Sequence, residues 1–141
     1  MQHLIRAGFV VSVAALLVHI SPLAAQTPTA PPGPPKAQIQ IINRADVAGI
    51  PGKEGVMLRA EWPVSASTGR HTHHGDEYAY VVDGTLEVHV DGQPARTMHA
   101  GDSWHMPEGT VHETINPGPA IAHSYSFFVV DKGKPLSEPA H

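Results

Sequence analysis

Residues 69–84 read GRHTHHGDEYAYVVDG, with three histidines and two adjacent carboxylates held between two glycines. His71 and His73 are two positions apart, so in an extended strand their imidazoles share one face. His74-Gly75-Asp76 then breaks the strand, and Glu77 opens the next one on the same parity as Ala79 and Val81. A carboxylate that begins an otherwise apolar parity is costly to bury unless a positive charge compensates it. A divalent cation held by imidazoles and a carboxylate does so directly. A solvated polar loop or a pH-responsive patch would use the same residue types, so the flanking sequence has to decide.

Outward from this stretch almost every segment reads as strand. In VMLRAEW, Val56, Leu58, Ala60 and Trp62 share one parity, and in TLEVHV, Leu86, Val88 and Val90 do the same. That leaves Thr85, Glu87 and His89 on the solvent side. Asp83-Gly84 and Asp91-Gly92 separate β-rich runs, the strongest short signal for a hairpin because both residue types tolerate positive φ. SWHM, VHETI and AIAHSYSFFVV follow, punctuated by Ala100-Gly101, Pro107-Glu108-Gly109 and Asn116-Pro117-Gly118-Pro119. No window sustains a helical period of apolar residues. Many short antiparallel strands in one domain predict an all-β barrel or sandwich.

A fourth metal-binding group comes from GDSWHMPEGTVHETIN, residues 101–116, where a Pro-Glu-Gly turn aims the strand carrying His112 back toward the same barrel. His71, His73, Glu77 and His112 make a set of three nitrogens and one oxygen. Such a set suits one divalent transition metal (Fe, Mn, Zn, Cu or Ni) far better than Ca or Mg.

At these residues the sequence resembles a small single-domain cupin of the cupin-2 type. The first motif of that family, G-x₅-H-x-H-x₃₋₄-E-x₆-G, is met by His71, His73, Glu77 and Gly84, with Ser65 standing at its first glycine. The second, G-x₅-P-x-G-x₂-H-x₃-N, is met in full by Gly101, Pro107, Gly109, His112 and Asn116. The resemblance implies a double-stranded β-helix, the cupin or jelly-roll barrel, with a metal in its mouth. It also implies that Glu77 can double as a catalytic base, as the cupin dioxygenases suggest.

The chain has 141 residues, a formal charge of −4 and no cysteine. That size suits one domain, the charge argues against nucleic acid as a partner, and neither a disulfide nor a thiolate nucleophile is available. The first residues, MQHLIR, AGFVVSVAALLVHI and SPLAAQ, have the charged, apolar and small-residue order of a secretory signal. The expected division is a signal peptide at 1–25, a proline-rich linker at 26–37, the barrel at 38–132 and a C-terminal tail at 133–141. The apolar run stops at His19 and Pro22, short of the ~20 residues that span a bilayer. The expectation is therefore a periplasmic or secreted protein with no stable membrane anchor after cleavage.

Other side chains are open to more than one reading. His105, His123 and Tyr125 are candidates for the pocket wall, because their strands carry apolar groups on both parities. His74 is expected at the pocket rim or in solvent, His99 in solvent, and Asp76 either behind a ligand imidazole or capping a turn. Tyr78, Tyr80, Trp104, Tyr125, Phe127 and Phe128 are expected mostly to pack the barrel, and Asn116 to cap the turn after its strand. Function is expected to be metal-dependent chemistry of a dioxygenase, isomerase or lyase kind on a small organic molecule. The alternative is a non-catalytic binding or sensing protein with a structural metal. A homodimer paired through an outer strand such as IQIIN is expected.

Overall fold

The computed structural model describes residues 33–140; the expected signal peptide at 1–25, and the expected linker up to residue 32, lie outside the described residues. Ten strands and no helix are found among the described residues, so none offers a helix long and apolar enough to cross a membrane. They are β1 (Gln38–Asp46), β2 (Lys53–Trp62), β3 (His71–Thr72), β4 (Gly75–Asp83), β5 (Thr85–Val90), β6 (Arg96–His99), β7 (Ser103–Met106), β8 (His112–Ile115), β9 (Ala122–Asp131) and β10 (Glu138–Pro139). They form two antiparallel five-stranded sheets, one ordered β1-β2-β9-β4-β7 and the other β10-β3-β8-β5-β6. This is the all-β double-stranded β-helix expected from the sequence.

Alternation builds the core between the sheets. Val56, Leu58, Ala60 and Trp62 of β2, Leu86 and Val88 of β5, Trp104 and Met106 of β7, and Phe128 and Val130 of β9 are all buried. Each large apolar side chain removed from water in this way contributes roughly 1.5–3 kcal/mol before entropic losses. On β9 the inward parity is Ala122, Ser124, Ser126, Phe128 and Val130, and small hydroxyls occupy two of its five places. That leaves His123, Tyr125 and Phe127 facing outward.

The two Asp-Gly turns do different work. Asp91-Gly92 joins β5 to β6, which pair as a hairpin. Asp83-Gly84 does not make the expected hairpin: β4 pairs with β7 and β9 in one sheet, while β5 pairs with β6 and β8 in the other. The chain turns a corner between sheets there. Gly84 has φ 75°, and a Cβ on it would lie 2.6 Å from that of Ala122. Any side chain would prise β9 from the corner.

The ends of the chain contribute more than a spacer and a tail. Pro35 accepts a backbone hydrogen bond from Ser67, and Ala37 packs on the core. Within the expected tail, Glu138 and Pro139 pair with Thr72 and His71, extending the second sheet beyond β3.

Candidate metal centre

The second sheet brings two of the candidate ligands together by register alone, since His71 of β3 lies opposite His112 of β8. His73 follows β3, and its ring centroid is 4.8 Å from that of His71 and 5.0 Å from that of His112. The three imidazoles each place a ring nitrogen within 4.8 Å of the others. Glu77 reaches the same point from the first sheet, with Oε2 at 3.3 Å from His112 Nε2 and 3.5 Å from His73 Nε2. Gly75 makes this approach possible. It begins β4 at φ 150°, and a Cβ there would collide with the Val129 carbonyl.

Tautomers follow from the partners. His71 Nδ1 faces the Gly69 carbonyl at 2.9 Å, His73 Nδ1 the Leu136 carbonyl at 2.6 Å, and His112 Nδ1 the Thr110 carbonyl at 3.0 Å. A carbonyl only accepts, so each Nδ1 carries the hydrogen and donates it. In the neutral imidazole this leaves every Nε2 as a lone pair, the arrangement that metal-binding histidines adopt. His73 Nε2 is buried with no hydrogen-bond partner among the described residues. Lone pairs directed toward a buried carboxylate repel one another unless positive charge stands between them. The residues present therefore fit a divalent cation.

Electrostatics agree with that arrangement. Burial lowers the pKa of His71 to about 4, an effect only partly opposed by its hydrogen bond to the Gly69 carbonyl. Its imidazole is thus neutral and free to ligate near neutral pH. Burial acts to raise the Glu77 carboxyl, but in the metal-free protein hydrogens on His112 and His73 Nε2 outweigh it and hold the group at about 2; a bound cation would take the place of those hydrogens on the neutral rings. Ser126 Oγ donates to Glu77 Oε1 at 2.9 Å, which leaves Oε2 toward the imidazoles.

Around these groups lies a cavity of about 50 Å³, walled by Leu58, Trp62, Trp104, Thr114 and Phe128 among others. A larger hollow of about 500 Å³ lies elsewhere, on Gln38, Arg59, Glu61, Asp83, His123 and Tyr125. None of the three clustered imidazoles lines it, so its size does not make it the site.

The three expected pocket residues do not reach the cavity. His123 sits on the outer parity of β9, 2.7 Å from Asp83 and 3.6 Å from Glu61. Tyr125 shares that parity and is 39% exposed. His105 alternates with buried Trp104 and Met106 and stacks outside on Tyr78 at 4.6 Å. Tyr78, Tyr80 and Phe127 are likewise exposed, so only Trp104 and Phe128 of the six aromatics pack the barrel. Asp76 takes the turn role, accepting the Glu108 backbone N–H at 3.1 Å. His74 pairs with Glu138 at 2.9 Å, away from the triad. Asn116 caps as expected: its Nδ2 donates to Trp62 and Ala120 carbonyls and its Oδ1 accepts from Gly118, each at 2.8 Å.

Sequence reasoning missed Ser126 and the Leu136 carbonyl. A serine on the inner parity of an apolar strand was the available signal for the first. A backbone acceptor leaves no signature in residue type.

The model of the Cupin domain (Cupin_2) matches residues 58–131, just over half the chain. This chain belongs to the cupin family. Among solved structures, the cupin barrel resembles a double-stranded β-helix protein from Klebsiella pneumoniae subsp. pneumoniae MGH 78578. That match has 18% identity and TM-score 0.61, over 77% of this chain and 90% of the other. A Cupin 2 conserved barrel domain protein from Salinispora arenicola CNS-205 is 26% identical with TM-score 0.53, over 68% and 76%. A recombinant oxalate oxidase in complex with glycolate is 22% identical with TM-score 0.58, over 76% of this chain and 56% of the oxidase. No curated protein matches the sequence. The cupin fold and its three-histidine cluster are compatible with a bound transition metal.

Proposed function

We propose that this cupin is an exported metalloenzyme acting on a small organic molecule at a centre of His71, His73, His112 and Glu77. One observation carries the reading: three imidazoles, each fixed through Nδ1 to a backbone carbonyl, gather their ring nitrogens within 4.8 Å of one another, and the Nε2 atoms of His73 and His112 face a buried carboxylate. When bound, Fe, Mn, Zn, Cu or Ni supplies a Lewis acid for a coordinated oxygen of the substrate. The chain contributes the rest. Ser126 orients Glu77, and the apolar wall of Leu58, Trp62 and Phe128 limits water. Glu77 has two expected roles, ligand and base. A carboxyl held at about 2 is a weak base at neutral pH, which favours the ligand role.

The neighbouring oxalate oxidase lends the fold, and at its identity no reaction. A dioxygenase, isomerase or lyase activity is therefore tested directly. Metal-loaded protein is screened for oxygen uptake and loss of ultraviolet absorbance with small acids, diketones and phenols. Turnover that disappears in His112→Ala supports the enzyme. Full activity in metal-depleted His112→Ala protein contradicts it.

A second reading, a binding or sensing cupin with a structural metal, is favoured by the cavity wall itself. Glu77 is its one carboxylate among the described residues, and no arginine or lysine lines it. Thermal stabilisation by a ligand that emerges chemically unchanged would select this reading.

We also propose a homodimer. β1 is an edge strand whose nine residues are all exposed, Ile39, Ile41 and Ile42 among them, the kind of edge that proteins cover or pair. Light scattering on the purified chain decides. The periplasmic or secreted location rests on the sequence of residues 1–25 and is tested by cell fractionation.

A further inference from the structure

We propose that the indole N–H of Trp104 is the ligand-recognising donor of the metal cavity, and that it selects a small oxyanion such as a short carboxylate. The inference rests on the metal-centre reading above and deepens it.

Trp104 lines the cavity with His71, Glu77 and His112 and is only 6% exposed. Its Nε1 has no hydrogen-bond partner among the described residues. Trp62, also in the cavity wall, donates to Ser124 Oγ at 2.9 Å. Buried indole N–H groups ordinarily find an acceptor, and an unmet one is destabilising. Two hydroxyls of the wall are already engaged. Ser126 donates to Glu77, and Thr68 Oγ1 accepts the Thr114 backbone N–H at 3.0 Å. Among the N–H donors of the wall the Trp104 group is thus the one left for an incoming acceptor, with the Thr114 hydroxyl as a further wall group able to donate.

Volume and charge narrow that acceptor. A water needs roughly 10–15 Å³ of such space, so a cavity of about 50 Å³ admits a few heavy atoms beside an ion. A divalent ion held by three neutral imidazoles and one carboxylate leaves a net positive site, which favours an anion over a neutral molecule. A short oxyanion supplies one oxygen to the metal and another to the indole hydrogen.

Zinc-loaded protein with labelled indole nitrogens tests this by nuclear magnetic resonance. The chain has two tryptophans, so two indole signals are expected, with Trp104→Phe assigning them. Added formate should move the Trp104 signal and leave that of Trp62 in place. Trp104→Phe should keep its zinc and bind formate roughly tenfold or more weakly, the effect of losing a hydrogen bond to a charged group. Formamide, its neutral counterpart, should bind more weakly than formate. Bound zinc and formate with an unmoved Trp104 signal would overturn the inference and leave the metal centre standing, as would unchanged formate affinity in Trp104→Phe. Equal binding of formamide would overturn the oxyanion class. Failure to take up zinc, and equally Fe, Mn, Cu and Ni, would remove the metal centre itself and the inference with it. If Trp104→Phe does not fold, Trp62→Phe assigns the two signals and the response of the unaltered protein to formate decides.

Discussion

Ser65 holds φ at 64°, a left-handed conformation that glycine adopts without penalty. It stands where the cupin motif has its first glycine, so the departure in sequence keeps the backbone shape. Ser65→Gly should stabilise the protein by about 1 kcal/mol, as read from chemical denaturation. Asn116 poses the opposite case. It is fully buried, and its side chain joins three backbone groups of the loops below the barrel. Asn116→Ala leaves those groups unmet and should cost about 3 kcal/mol in the same measurement. Ser126→Ala should leave the fold intact while releasing Glu77 Oε1. Competition with a chelator should show metal affinity about 10-fold lower or more, the usual effect of removing a group that orients a ligand.

Strand parity explains both what the sequence revealed and what it hid. In TLEVHV and VMLRAEW one parity is wholly apolar and the other is polar apart from Met57, so inward and outward faces are legible at once. In β9 the inward parity includes Ser124 and Ser126 while the outward parity carries Tyr125, Phe127 and Val129. With apolar groups on both parities, hydrophobicity does not say which face is inward, and His123 and Tyr125 are pocket candidates until the register places them outside. β7 misleads similarly, because four residues are too few to establish a period around His105. The ligands themselves were legible because metal chemistry restricts residue type and spacing together. The strap that steadies them was not, since a tail of Gly, Lys, Pro and Ser shows no pattern of its own. Its Leu136 carbonyl holds the His73 Nδ1 hydrogen, and β10 lies beside His71. A chain ending at Pro135 should therefore fold but bind metal 10- to 100-fold more weakly. Unchanged affinity would reduce the strap to packing.

Across the whole molecule, acid acts through the same buried groups. The folded His71 pKa is about 4 against an ordinary value of 6.5, so within that window the unfolded chain holds a proton that the folded one lacks. Metal-free protein should lose stability as pH falls through that window. Glu77, held at about 2 rather than 4.5, extends the loss at lower pH, as its charged form is the folded one. Denaturation midpoints across this range should fall steadily with acid, and His71→Ala should flatten the upper part of the decline. Bound metal should raise the midpoints at neutral pH and be released on acidification, since protons compete for the same imidazoles.

Elemental analysis of untagged protein recovered from its native compartment tests the centre most directly, with His112→Ala prepared alongside. About one transition-metal ion per chain is expected in the first and almost none in the second. Metal-free protein that also fails to take up Fe, Mn, Zn, Cu or Ni, or equal metal content in the two, would contradict a centre built on His71, His73, His112 and Glu77.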